Sequence, residues 1–143
     1  MAHNTLALSS QLEWNETVPK RVFESGLRHM AMRFSSTQSL QLWHDVALAQ
    51  VKDDEPDLSV RQISILLTIY LEAPPHTVRD LASKLNVSKP VITRALDSMG
   101  KLGIVSRRRD DEDKRNVLVQ RTVKGALYLE RLSDLIAAKA DGV

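Results

Sequence analysis

The chain contains no cysteine, which excludes disulfides, thiolate metal sites and cysteine redox sensing. Histidine is scarce: His3, His29, His44 and His76 are too scattered along the sequence to suggest a metal cluster. Glycine is sparse as well, and no glycine-rich nucleotide loop is present. No apolar run approaches the roughly 18–20 residues of a membrane span. The opening MAHNTLALSSQLEWNE lacks the basic stretch that begins a secretory leader. The expected location is the cytoplasm. No carboxylate pair falls in a plausible cleft, and metal-ligand sets and nucleophile motifs are missing, so no cofactor is expected and an enzyme is the least supported class.

What is present is a chain of 143 residues, 43% apolar and 27% charged, the balance of a soluble globular domain able to bury a core. Its formal net charge is only +2, yet its pI is near 9.0. Positive charge is therefore expected in local clusters.

Residues 1–16 are polar and weakly periodic and read as a flexible arm. TVPKRVFESGLRHMAMRF follows with a helical pattern. Thr17 can cap it, Pro19 suits its first turn, and Phe23, Leu27, Met30 and Phe34 recur on one side with Arg21, Arg28 and Arg33 around them. A packing or dimer helix is the plain reading, and a membrane-surface helix the alternative. A second helix is predicted over 37–52, apolar at Leu40, Trp43, Ala47 and Val51 and stopped before Pro56. Trp14 and Trp43 read as core or interface anchors. LSVRQISILLTIYLEA then opens with a capping box, Ser59 to Gln62, and its apolar run predicts a helix at the centre of the core. PPH at 74–76 reads as a turn, with His76 a turn residue.

TVRDLASKLNVSKPVITRALDSMGKLGIV predicts two helices and a tight connection. Thr77 with Asp80 caps the first, and Val78, Leu81, Ala82 and Leu85 form its apolar stripe. Ser88 is a good N-cap for the second, Pro90 is tolerated in its first turn, and Gly103 ends it. The second helix buries Ile92, Ala95, Leu96 and Met99. Two short helices so joined match a helix-turn-helix, the plainer alternative being a two-helix packing unit with a solvated face. Ser88, Lys89, Pro90, Val91, Thr93, Arg94 and Asp97 stay off the buried stripe, short polar and basic groups near the helix N-terminus where such motifs touch base edges and phosphates.

The stretch RRRDDEDKRNVLVQ then places an acidic and basic tip between two strand-like segments, GIVSRRR and NVLVQRT. A hairpin straight after a helix-turn-helix is a winged helix. The wing candidates for DNA are Arg107, Arg108, Arg109, Lys114 and Arg115, with Lys101 a further phosphate contact. Acids cannot face phosphate. Asp110 and Asp113 are therefore expected to orient the wing, through ion pairs with its arginines or through backbone N–H groups at the tip.

VSKPVITRALDSMGKLGIVSRRRDDEDKRNVLVQRTVKG resembles the MarR family of bacterial winged-helix transcription regulators. The resemblance runs over about residues 57–125 and is most specific in the wing pattern Asp110-x-x-Asp113-x-Arg115. It implies a homodimer on double-stranded DNA, with the recognition helix in the major groove, Arg94 contacting DNA, and Arg115 in the minor groove. It also implies a small aromatic or phenolic effector of unspecified identity. Position 121, usually leucine in that family, is arginine here. Its stem is expected to lie across apolar surface with the guanidinium in water, or the wing base to pack differently. The family carries two helices after the glycine at 125, whereas residues 126–143 fit one of about 27 Å, with Leu127, Leu129, Leu132, Leu135 and Ile136 available for packing.

The expected fold is thus mainly α with a small β-hairpin: a winged helix-turn-helix domain over 57–125, N-terminal helices over 17–56 for dimerisation, and a short C-terminal helix over 126–143. The expected function is sequence-specific DNA binding in transcription regulation, without a membrane association. The alternative is a winged-helix interaction or architectural module that needs a partner protein.

Overall fold

The computed structural model describes residues 34–143. The expected N-terminal arm, the helix from Thr17 and Trp14 lie outside the described residues. Five helices and three strands follow in order: α1 (Ser36–Lys52), α2 (Val60–Leu71), β1 (His76–Thr77), α3 (Val78–Leu85), α4 (Lys89–Lys101), β2 (Val105–Arg109), β3 (Val117–Arg121) and α5 (Val123–Ala140). The described residues divide into two compact units, Ala47–Leu132 and 34–46 with Ser133–Val143.

The first of these is a winged helix-turn-helix. Its α2 starts where the sequence places a capping box: the Gln62 backbone N–H donates to Ser59 Oγ, and the Ser59 N–H donates to Gln62 Oε1. Thr77 caps α3 by accepting the Asp80 N–H at 3.1 Å. Asn86 ends α3 in the left-handed region, φ 52°, and the Val87 N–H returns to Ala82 O. Asparagine tolerates this conformation better than other side-chain-bearing residues, so the turn between the two helices needs no glycine. α4 ends at Gly103, φ 75°, where the Ile104 N–H bonds Met99 O.

The apolar stripes of three helices meet in one core. Ile65, Leu66 and Ile69 of α2, Leu81 of α3, and Ile92, Leu96 and Met99 of α4 are all at most 1% exposed. Burying each such side chain contributes about 1.5–3 kcal/mol relative to leaving it in water. This core fixes α4 from beneath and leaves its opposite face in solvent.

The sheet has the order β1-β3-β2, antiparallel throughout. Here the structure corrects the reading of 74–76 as a turn only. His76 pairs with Val119 and Thr77 with Leu118, so the wing carries a third strand contributed from in front of α3. His76 is 7% exposed.

The second unit, within the described residues, holds the start of α1 and the end of α5. A capping box missed in the sequence joins Ser35 and Gln38 in both directions, and Gln38 Nε2 donates to Val143 O. Val46 and Ala140 are buried.

α1 also departs from the expected packing. Leu40, Trp43 and Val51, expected on a packing side, are 71%, 56% and 67% exposed. The buried residue of α1 is instead Val46, which lies at the margin of that stripe, three residues on from Trp43. On α5, Tyr128 is buried, Leu129, Leu132 and Leu135 are half-buried, and Leu127 and Ile136 are exposed.

Candidate nucleic-acid interface

The N-terminal turn of α4 is built to face outward. Ser88 occupies the N-cap in extended conformation, but its side chain makes no cap hydrogen bond. Its hydroxyl is thereby left to solvent, along with exposed Lys89, Pro90 and Arg94. Val91 and Thr93 are half-buried. Arg94 Nε makes a long 3.4 Å bond to Pro90 O within its own helix. A helix N-terminus carries partial positive charge from its unpaired N–H groups. Cationic side chains and the helix dipole therefore act with the same sign at this turn. Lys101 is exposed at the far end of α4.

The wing is held to α4 by an ion pair that the sequence did not single out. Arg107 Nη2 lies 2.5 Å from Asp97 Oδ1. Strand alternation puts Arg107 and Arg109 on one face of β2 and Arg108 on the other. Arg109 thus shares the face that meets the helix, and Arg108 reaches instead to Asp111 at 3.2 Å. Arg107, expected among the phosphate contacts, has its guanidinium engaged within the protein. Only helical spacing on α4 and strand phase on β2, taken together, could have found this pair; neither alone does.

At the tip the two aspartates act on the backbone. Asp110 Oδ1 accepts the Glu112 N–H at 3.0 Å, and Asp113 Oδ1 accepts the Arg115 N–H at 3.1 Å. The loop is closed by Asp110 N–H to Asn116 O and Asn116 N–H to Asp113 O. These are the side-chain-to-backbone turns that aspartate favours. Of the two arrangements the sequence left open, backbone pairing is the one adopted by Asp110 and Asp113. Arg109, Lys114 and Arg115 are exposed, and among the described residues their side chains have no ion-pair partner.

The root of the wing rests on α2. Arg121 Nε donates to Ile69 O at 2.5 Å and Nη2 donates to Glu72 O at 2.7 Å. Its guanidinium carbon lies 5.9 Å from the centre of the Tyr70 ring. The arginine head is therefore not simply in water: it satisfies carbonyls at the end of a helix. Burial pushes its pKa down from the ordinary value. His76 shares the Glu72 carbonyl, with Nε2 at 3.3 Å, and its pKa is lowered, chiefly by burial. Beside them the Tyr70 hydroxyl accepts the Thr122 N–H at 2.8 Å, and lies 2.8 Å from Thr122 O and 3.1 Å from Ile104 O. A Cβ on Gly125 would sit 2.0 Å from that hydroxyl, so only glycine fits there.

Among the described residues no group of three or more potential metal ligands is assembled, and no helix is long and apolar enough to cross a membrane.

The MarR family model matches residues 58–117, a span that begins just before α2 and ends at the start of β3. Over that span the winged helix is similar to the MarR family. A MarR-type relative, the HTH-type transcriptional repressor YetL of Bacillus subtilis (strain 168), is 37% identical over 76 residues, 52% of this chain and 45% of that protein. Across three curated relatives the chain spans 45%, 55% and 40% of their lengths. Among solved structures, the transcriptional repressor CouR bound to a 23-mer DNA duplex is 25% identical with a TM-score of 0.58, covering 73% of this chain and 70% of that one. The transcriptional regulator BldR from Sulfolobus solfataricus is 28% identical with a TM-score of 0.54, covering 71% and 68%.

Proposed function

We propose that the chain is a sequence-specific, DNA-binding transcription regulator acting as a homodimer, without enzymatic activity. The observation that carries this reading is the pairing of an exposed basic turn at the start of α4 with a wing whose Arg115 backbone is held by Asp113 while its side chain stays free of ion pairs. In this reading Ser88, Lys89, Pro90, Val91, Thr93 and Arg94 meet the major groove, and Arg115 enters the adjacent minor groove. Lys101, Arg108, Arg109 and Lys114 neutralise phosphates, and Arg107 holds the wing against α4. The half-exposed Arg108–Asp111 pair is weak enough to open for DNA.

The dimer is supported by Leu40 and Trp43, large apolar side chains left exposed on α1, and by the family resemblance. A monomer in light scattering at micromolar concentration would count against it. The same exposed side chains favour the alternative, a module completed by a different partner protein.

Selection of duplexes from a random pool near physiological salt, followed by footprinting, separates the two. A protected pseudo-palindrome with half-sites about one helical turn apart is expected. Weak, sequence-blind binding that vanishes with salt would overturn the regulator reading in favour of the partner-dependent module.

A further inference from the structure

We propose that Arg121 is a positioning residue that sets where the wing tip, and with it Arg115, meets DNA. This rests on the DNA-binding reading above and deepens it.

Besides its pairing with β1 and the Tyr70 bonds at its root, the wing has two arginine attachments to the helices. On the β2 side, Arg107 ties it to Asp97 of α4. On the β3 side, Arg121 ties it to the C-terminal end of α2, with one guanidinium nitrogen on Ile69 O and a second on Glu72 O. Two bonds from one rigid planar group define a direction as well as a distance, which a single ammonium cannot do. The last carbonyls of a helix lack intrahelical partners and carry partial negative charge, so the cation is held there by charge as well as by geometry.

Arg121 ends β3, whose other end leads to the tip. At about 3.3 Å per residue, Arg115 lies roughly 20 Å along the strand from this anchor. A rotation of about 10° at the root would therefore move the tip by about 3 Å, far outside the ~0.5 Å tolerance of a well-held contact. The neighbouring Tyr70 and β1 bonds hold the backbone at the root. Arg121 adds the side-chain bridge from β3 to α2.

The test is a double-mutant cycle between Arg121 and Arg115, read as affinity for the operator selected above. Arg121→Met keeps a linear stem beside Tyr70 and removes both donors. Arg121→Lys keeps the charge and loses the planar fork. Arg115→Ala is made in the wild-type, Met and Lys backgrounds, with folding checked by circular dichroism at the assay temperature. In the wild-type background the expected loss is about 5- to 150-fold, that of a groove-inserted arginine. In the Arg121→Met background the loss should shrink to under about threefold, with Arg121→Lys between, because a misplaced tip has no contact left to lose. Equal losses in all three backgrounds would overturn the positioning role while leaving DNA binding intact. No loss from Arg115→Ala in the wild-type background would overturn both the positioning role and the placement of Arg115 in a groove. Should Arg121→Met not fold, the Arg121→Lys background decides: an undiminished Arg115 effect there refutes the inference.

Discussion

Tyr70→Phe removes one oxygen from the most heavily bonded point of the winged helix. The hydroxyl accepts the Thr122 N–H at 2.8 Å and directs its proton toward Thr122 O or Ile104 O. The ring is 6% exposed, and Phe fills the same space, so no cavity contributes to the loss. What remains is a backbone N–H without this acceptor, while Thr122 O keeps the Ala126 N–H. Leaving a buried donor unsatisfied costs about 1–3 kcal/mol. For a unit of this size that lowers Tm by about 4–24 °C. Urea unfolding followed by circular dichroism should show the midpoint fall with an unchanged m-value, since the surface exposed on unfolding does not change. A loss below about 0.3 kcal/mol would mean that water replaces the hydroxyl and that the site is not sealed. A companion variant sharpens the reasoning. Gly125→Ala places a Cβ 2.0 Å from the hydroxyl and 2.2 Å from Ile104 O. Tyr70→Phe should therefore rescue it only in part, because the carbonyl clash survives.

His76 supplies a pH dependence of known sign. Burial lowers its folded pKa below the ordinary value of about 6.5, so the unfolded chain binds the proton more readily. Its contribution is fully present above the unfolded pKa and is lost as pH falls through the folded one; Tm at pH 7.5 and 5 should differ more in wild type than in His76→Gln. Ser59→Ala removes one half of the α2 capping box and should cost about 1 kcal/mol by urea unfolding, with no change indicating that the Ser59 cap is dispensable. Lys101→Ala should weaken binding about equally on all duplexes and reduce the salt slope by about one, whereas a sequence-selective loss would assign it to base readout. Asp97→Ala should change stability by less than about 1 kcal/mol because its pair with Arg107 is partly exposed, and should weaken operator binding by loosening the wing.

The sequence by itself determined the described helices, the β2–β3 hairpin and their order, but not β1. Ser59 with Gln62, Thr77, Pro90 and Gly103 mark boundaries through local chemistry that acts within a few residues, and the stripes of α3 and α4 repeat at helical period. The strand, charged tip and strand after them could be read for the same reason. The MarR resemblance fell on this stretch because its wing motif is contiguous.

Tertiary structure alone decided which groups meet across the fold. Nothing near Arg121 in the chain announces Ile69 and Glu72, and nothing near Arg107 announces Asp97, since these partners are brought together by the packing of separate elements. His76 became a strand because Val119 was there to pair with it. Periodicity showed that α1 has an apolar side at Leu40, Trp43 and Val51, yet not that this side would stay exposed while Val46 turned inward. A stripe of apolar residues states what a helix can bury; only the surrounding elements settle which side is covered.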